Sequence, residues 1–286
     1  MIAPAFGVLF DGFAYGMLLF LLSVGLSVTL GMMNFVNLAH GSFAMLGAYV
    51  VVTLMGMGWP FFATLPCAFL VAAVVSVAFE RSLFRRLYRA SDLRQVLMTL
   101  GLAFISVAAA AWFYGTMQQP VRLPAYLRSY ATFMGINFSI YRLFLIAVAL
   151  AITVLLVATL EYTRFGAQVR AAVDNQRMAE GLGIDVDGVF AVTFAVGSGL
   201  AGLGGALAIE IVGLDPNFAF TYLIYVLIVV AVGGLGSIRG SLLAAIVLGV
   251  SDAAGKYYIP TLGAFLIYLV MVGMMLWRPS GLFGRR

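Results

Sequence analysis

The stretch that decides the fold runs Val8-Leu-Phe-Asp11-Gly-Phe-Ala-Tyr15-Gly-Met-Leu-Leu-Phe20-Leu-Leu-Ser-Val-Gly25-Leu-Ser-Val-Thr-Leu30. One acidic side chain interrupts it near its start, and no basic one does. A bilayer core about 30 Å thick takes roughly 20 apolar residues in a helix, so this run is long enough to cross. Lipid offers no partner for backbone N–H and C=O groups, so a spanning segment must be a helix or part of a closed barrel. The run is too long and too continuously apolar for a barrel strand.

The rest of the chain repeats that reading. Of 286 residues, 64% are apolar and 9% charged, a composition that excludes a soluble domain of this length. Further apolar runs fall at Leu38 to Met57, Pro60 to Phe79, Val96 to Met117, Ile140 to Leu160, Val189 to Val212, Tyr222 to Gly236, Ser241 to Gly255 and Leu262 to Trp277. The expected fold is an all-α polytopic bundle of about eight to ten transmembrane helices. It is read as one transmembrane domain over residues 1–286. Glycines interrupt the runs near Leu38, Tyr222 and Ser241, which are candidates for half-helices or re-entrant pieces. Met1 to Phe10 lacks a basic leader and cleavage site and is expected to be retained. The single cysteine, Cys67, excludes an intramolecular disulfide and a cysteine-based metal cluster.

Arginine sets the topology, because a central Arg costs about 2.5–3.5 kcal/mol and basic loops stay cytoplasmic. Arg81, Arg85, Arg86, Arg89 and Arg94 crowd one loop; Arg164, Arg170 and Arg177 lie in a second; Arg278, Arg285 and Arg286 close the chain. Even numbers of spans separate these segments, so all three share one face, with the N-terminus outside and the C-terminus in the cytoplasm. The linker from Gln118 to Ser139, with Arg122 and Arg128, then falls outside. Trp59, Trp112 and Trp277 sit near span ends as interfacial anchors. The formal charge of +5 thus describes a membrane face, with no basic surface for nucleic acid.

The chemistry is constrained by what is missing. The only lysine, Lys256, precedes Tyr257, so no GxxxxGK[ST] loop can cradle a nucleotide phosphate. His40 is the only histidine, which removes HExxH and other paired-histidine metal sites. Asp11, Glu210, Asp215 and Asp252 lie close to span ends and form no evident acid–base pair. The chain reads as a non-enzyme without cofactor or metal of its own.

Gly31-Met-Met-Asn34-Phe-Val-Asn37-Leu-Ala-His40-Gly41-Ser42 is polar and glycine-flanked amid apolar sequence. A helix there would turn side-chain amides to lipid, so a break facing protein or water is expected. Asn34, Asn37, His40, Gly41 and Ser42 are the candidates to line a translocation path at a helix N-terminus. Polar helix–helix contact, and for His40 capping or packing, is the competing reading. Arg239-Gly240-Ser241 resembles His40-Gly41-Ser42 in layout, each opening an apolar helix, which suggests an internal two-fold repeat.

The loop from residue 161 to 188 carries Ala171, Asn175, Met178, Ala179 and Leu182 at helical spacing, ended by glycines. It reads as one amphipathic helix that docks on a cytoplasmic partner or lies on the membrane surface.

Two motifs resemble a known family. One is Gly25-Leu-Ser-Val-Thr-Leu-Gly31-Met-Met-Asn34-Phe-Val-Asn37-Leu-Ala39-His40-Gly41-Ser42-Phe-Ala-Met-Leu-Gly47-Ala48-Tyr49. The other runs from Gly166 through Arg170-Ala171, Asn175, Ala179 and Gly183-Ile184 to Phe194, Gly197, Leu200-Ala201 and Gly204-Gly205-Ala206. Both are similar to permeases of the branched-chain amino acid ABC transporter family, of the LivH type, and the similarity of span layout extends to Arg278-Pro279-Ser280-Gly281. The resemblance implies a type II-like ABC importer permease in a bacterial cytoplasmic membrane. It also implies a homologous second permease (LivM type), two cytoplasmic ATPase subunits that bind the ATP and Mg2+, and a periplasmic substrate-binding protein. Arg170, Ala171, Asn175, Ala179 and Gly183 would then form the ATPase-coupling loop. Branched-chain amino acids are the favoured cargo, with urea, short amides or aromatic acids as alternatives within the family. An ion-coupled carrier is opposed by the scarcity of mid-span charge, and a membrane enzyme by the missing acid–base cluster.

Overall fold

The computed structural model describes residues 2–33, 35–88, 90–121, 123–133 and 136–284. Asn34, Arg89, Arg122, Arg285 and Arg286 lie outside the described residues. In chain order come α1 (Ile2–Met33), α2 (His40–Gly56), α3 (Phe61–Phe79), a π-helical turn (Glu80–Phe84), α4 (Arg85–Leu87) and α5 (Asp92–Tyr114). A hairpin of β1 (Tyr130–Phe133) and β2 (Ile136–Ser139) leads into α6 (Ile140–Tyr162), α7 (Arg164–Asp174) and α8 (Gln176–Gly181). Then follow α9 (Val186–Val212), α10 (Phe218–Gly233), α11 (Ile238–Tyr258) and α12 (Gly263–Trp277). Among the described residues six helices are long and apolar enough to cross a membrane, and α2, α10 and α12 are shorter apolar helices. Each coincides with an apolar run in the sequence.

Burial separates the centre of the bundle from its rim. The spanning stretch of α1 is 83% buried and that of α9 is 78%, against 17% for α5 and for α6. Met17 to Leu22 and Leu26 form the solvent-free middle of α1, which packs along α9 and α11. Where lipid is as apolar as the core, close backbone approach holds helices together, so small residues line the contacts. A Cβ on Gly12 would fall 2.6 Å from Val250 Cα, and one on Gly16 would fall 2.7 Å from the Ala245 carbonyl oxygen. The rim helices turn Leu97, Phe104, Ile105, Trp112, Val154 and Leu155 outward, as helices facing hydrocarbon do.

The basic segments gather at one end of the bundle. Arg85 of α4 pairs with Asp187 of α9, Arg239 of α11 with Glu161 of α6 at 2.7 Å, and Arg170 of α7 donates to the Leu160 carbonyl. The segment after Arg278 folds back there, with the Leu282 N–H donating to the Val232 carbonyl at 2.8 Å. The far end holds the start of α1 and the 118–139 linker. Phe10 meets Phe138 edge-on, and Gln119 N–H donates to the Leu214 carbonyl at 2.8 Å. The linker folds into an antiparallel pair with Tyr130 opposite Ser139, an element its arginines and prolines did not announce.

The interruption after α1 is present. Phe35 to Ala39 are non-helical, and α2 starts at His40 against the body of α1 rather than at its end. The start of α10 packs beside it. Gly213, at φ +77°, turns the chain back from the end of α9, and the first turn of α10 brings the Ala219 carbonyl against Gly41. His40-Gly41-Ser42 and Arg239-Gly240-Ser241 each lie at the start of a helix, α2 and α11, in different surroundings. His40 is 1% exposed inside the bundle, whereas Arg239 is solvated at the basic end and paired with Glu161. An arginine can keep its hydration only at such an end.

Candidate functional site

A backbone that leaves the helix inside a membrane protein exposes N–H groups that cost about 1–3 kcal/mol each if buried without a partner. Two side chains of α5 meet that need. Gln95 Oε1 accepts from the Val36 N–H at 3.0 Å, and Thr99 Oγ1 accepts from the Leu38 N–H at 3.1 Å. Four residues apart, they project from one face of α5. Both are buried, Gln95 2% and Thr99 0% exposed. Gln95 Nε2 in turn reaches the carbonyls of Leu87 at 3.2 Å and Ala90 at 3.3 Å. Asn37 completes the turn, its Oδ1 accepting from the Ala39 N–H at 3.0 Å, the local bond by which Asn stabilises non-helical backbone. Sequence reading missed Gln95 and Thr99. The available signal was a polar pair at helical spacing, Gln95 just before and Thr99 just inside the apolar run from Val96 to Met117.

His40 is enclosed within this chain. Its Nε2 lies 2.9 Å from the Leu22 carbonyl, and since a carbonyl only accepts, that nitrogen carries the proton. The bond ties the start of α2 to the middle of α1. Gly41 leaves room for α10, because the Ala219 carbonyl occupies the place its side chain would take. Of Asn37, His40, Gly41 and Ser42, only Ser42 lines the adjoining cavity. The others form the wall behind it.

That cavity is a cleft of about 580 Å3 between α2, α3 and α5, within the range of about 300–1,000 Å3 usual for small-molecule sites. Phe43, Leu46, Val50, Val75, Leu102 and Phe113 make its walls apolar. Thr53 Oγ1 and Tyr114 OH meet at 2.7 Å along it, and the Tyr49 ring stacks on that of Tyr114 with centroids 4.2 Å apart. Ser42 Oγ, Tyr49 OH and Asn37 Nδ2 are buried without a hydrogen-bond partner among the described residues. Such atoms are costly unless a ligand or water engages them. An uncharged, mostly apolar cleft with a few unpaired hydroxyls suits a small solute with an aliphatic part.

At the basic end, the loop of residues 161–188 forms two helices instead of the single one its periodicity predicts. Asn175 breaks it, with extended backbone and a side chain whose Oδ1 caps α8 at the Met178 N–H, 3.1 Å away. Ala172, Ala179 and Val186 pack together under it, with Ala171 at the margin. Gly183, at φ +84°, turns the chain into α9. Ala179 is 2% exposed, while Met178 and Leu182 are 67% and 81% exposed. The apolar surface offered outward therefore consists of Met178 and Leu182, and Ala179 anchors it from beneath. A polar groove beside α7 and α8 is lined by Arg85, Arg86, Asp174, Glu180 and Asp187. Its floor is fixed by Tyr88, which donates to the buried Glu80 at 3.1 Å. Burial and that carboxylate push the Tyr88 phenol above its ordinary pKa, so it remains a donor.

Comparison with known proteins places this geometry. Residues 8–275 match the family model described as branched-chain amino acid transport system / permease component. The chain is 27% identical to the LivH permease of the high-affinity branched-chain amino acid transport system of Salmonella typhimurium, over 97% of this chain and 94% of that protein. It is also 27% identical to a probable LivH permease of Methanocaldococcus jannaschii, over 94% and 90%. Against the LivM permease of Escherichia coli the identity is 26%, over 93% of this chain and 68% of that one. No solved structure matches the chain. A multi-pass membrane protein whose sequence matches that model over nearly its whole length, this chain belongs to the branched-chain amino acid transport system permease family.

Proposed function

We propose that this chain is one of two permease subunits lining the pore of an ABC importer, and that it carries branched-chain amino acids across the cytoplasmic membrane. The match over residues 8–275 carries the reading. The apolar cleft beside Ser42 suits an aliphatic side chain. Its partners are a homologous permease, two ATPases that bind ATP and Mg2+, and a periplasmic binding protein that delivers the cargo. The chain itself catalyses no reaction. Basic segments stay on the cytoplasmic side, which places the start of α1 and the hairpin outside and α7, α8 and the C-terminus inside.

Coupling follows from what α7 and α8 touch. An ATPase seated on Met178 and Leu182 moves Ala179, and Ala179 packs on Val186 at the start of α9. α9 in turn packs on α1, α2 and α3, so a tilt of α9 shifts one wall of the cleft against the broken segment. Arg170 holds α7 to the end of α6, Ala171 borders the cluster of Ala172, Ala179 and Val186, and Asn175 and Gly183 set the angle of α8.

The test is purification from native membranes in mild detergent, followed by uptake of radiolabelled leucine into vesicles. The expected result is co-purification of an ATPase and a second permease, with uptake that needs ATP and the binding protein. Isolation of this chain alone, with uptake driven by an ion gradient, overturns the reading.

A further inference from the structure

A second cavity, of about 550 Å3, opens at the end away from the basic segments, between α1, α6, α10, α11 and the end of α9. Two acids and two bases line it in two pairs. Asp252 of α11 receives Lys256 Nζ at 2.6 Å, and Asp11 of α1 pairs with Arg142 of α6. Asp252 is 3% exposed, and Lys256 is its one hydrogen-bond partner among the described residues. An ionised carboxylate can accept about four hydrogen bonds, so most of its capacity is unused. The Lys256 side chain is 57% exposed and lies 5.5 Å from the centre of the Tyr15 ring. Tyr222 lines the same wall.

The balance of charge narrows the occupant. A metal or an organic cation needs excess negative charge, and an anion needs excess positive charge. This lining is neutral overall but polarised, and among the described residues no group of three potential metal-binding side chains occurs. We propose that the cavity is a receiving site for the charged head of a zwitterionic α-amino acid. The ammonium group sits on Asp252, near the Tyr15 and Tyr222 rings, which attract a cation by their π faces. The carboxylate takes Lys256, whose donors turn from Asp252 to the ligand, while Arg142 stays paired with Asp11 beside it. Exchange of one ion pair for another keeps the buried Asp252 carboxylate compensated throughout. The inference rests on the importer reading and adds to it where the cargo's charges are held before its aliphatic part reaches the cleft beside Ser42.

The same head chemistry occurs in phosphatidylethanolamine, so the test uses proteoliposomes of phosphatidylcholine and phosphatidylglycerol, with a parallel set containing phosphatidylethanolamine. The whole complex is reconstituted with Asp252→Asn, Lys256→Gln or both, and uptake of radiolabelled L-leucine delivered by the binding protein is measured beside assembly by gel filtration. A merely structural ion pair tolerates loss of both charges better than loss of one, since no buried charge is then left alone. The expected result is that the double variant assembles as the parent does, in either lipid, while uptake falls at least tenfold. Recovery of uptake in the double variant overturns the site, as does a defect confined to liposomes containing phosphatidylethanolamine, which would make it a lipid pocket. If a single variant fails to assemble, the double variant still carries the test. Absence of leucine uptake by the parent complex is a failure of the importer reading instead.

Discussion

Thr99 Oγ1 stands 3.1 Å from the Leu38 N–H and 2.8 Å from the Gln95 carbonyl, so one hydroxyl accepts from the broken segment and donates back into its own helix. The interruption between α1 and α2 therefore depends on α5, a helix that otherwise packs lightly on the bundle and faces outward. Thr99→Val keeps the shape and removes the acceptor. It is expected to destabilise the protein by about 1–3 kcal/mol, the cost of an orphaned buried donor. The check is the thermal midpoint in detergent together with leucine uptake, both lower than in the parent. Thr99→Ser should restore both, and a valine variant as stable as the parent would show that Leu38 needs no partner.

Gly205 and Gly101 make opposite predictions from the same residue type. At Gly205 of α9 the Ala44 backbone of α2 fills the space a side chain needs, and rigid main chain cannot give way as a flexible side chain can. Gly205→Val should abolish assembly, read as loss of the monodisperse peak in gel filtration. Nothing lies within 4 Å of a Cβ on Gly101 in the middle of α5. Gly101→Ala should be stabilising by about 0.5–1 kcal/mol through helix propensity alone, a rise in thermal midpoint.

Most of the helical framework was legible because a membrane helix declares itself by length and apolarity, and Ile140, Phe79 and Trp277 bound both the expected spans and the observed helices. The break at Phe35 to Ala39 was legible for the same reason in reverse, since amides in an apolar run demand protein partners. The partners themselves were not. Gln95 and Thr99 serve residues some sixty positions away, and no local pattern states that pairing. His40 carried two readings, a capping or packing residue and a path residue, the second because ionisable groups in membranes are often functional. Leu22, eighteen residues earlier, supplies the carbonyl that its ring meets, a partner no local pattern announces. The loop helix divided because Asn175 favours capping α8 over continuing α7, a competition between side chain and backbone that periodicity does not register.

The cleft between α2, α3 and α5 should be closed by bulk at Leu46. This side chain lines the cavity and is half-buried, so Leu46→Trp fills space that is empty rather than displacing packed atoms. Uptake is expected to fall by an order of magnitude or more, with assembly and ATP hydrolysis by the complex retained. Leu46→Met, of similar volume, should transport normally. Equal uptake by the tryptophan variant would exclude the cleft from the path of the cargo.

Ala179, Met178 and Leu182 separate an anchor from a docking surface. Ala179 is buried against Ala172 and Val186, so Ala179→Arg forces a charge into a space without room or partner and displaces α8. It should abolish uptake and ATPase binding while the spans, which lie elsewhere, still insert. The pair Met178→Ser and Leu182→Ser acts on side chains that are already outside, and should leave the thermal midpoint within about 0.5 kcal/mol of the parent, as surface changes do. If the exposed residues form the seat of the ATPase, the serine pair weakens co-purification of that subunit without disturbing the permease. If co-purification is unaffected by the serine pair yet lost with Ala179→Arg, the ATPase grips the polar groove of Arg85, Arg86 and Asp174 instead, and the apolar face of α8 has no part in coupling.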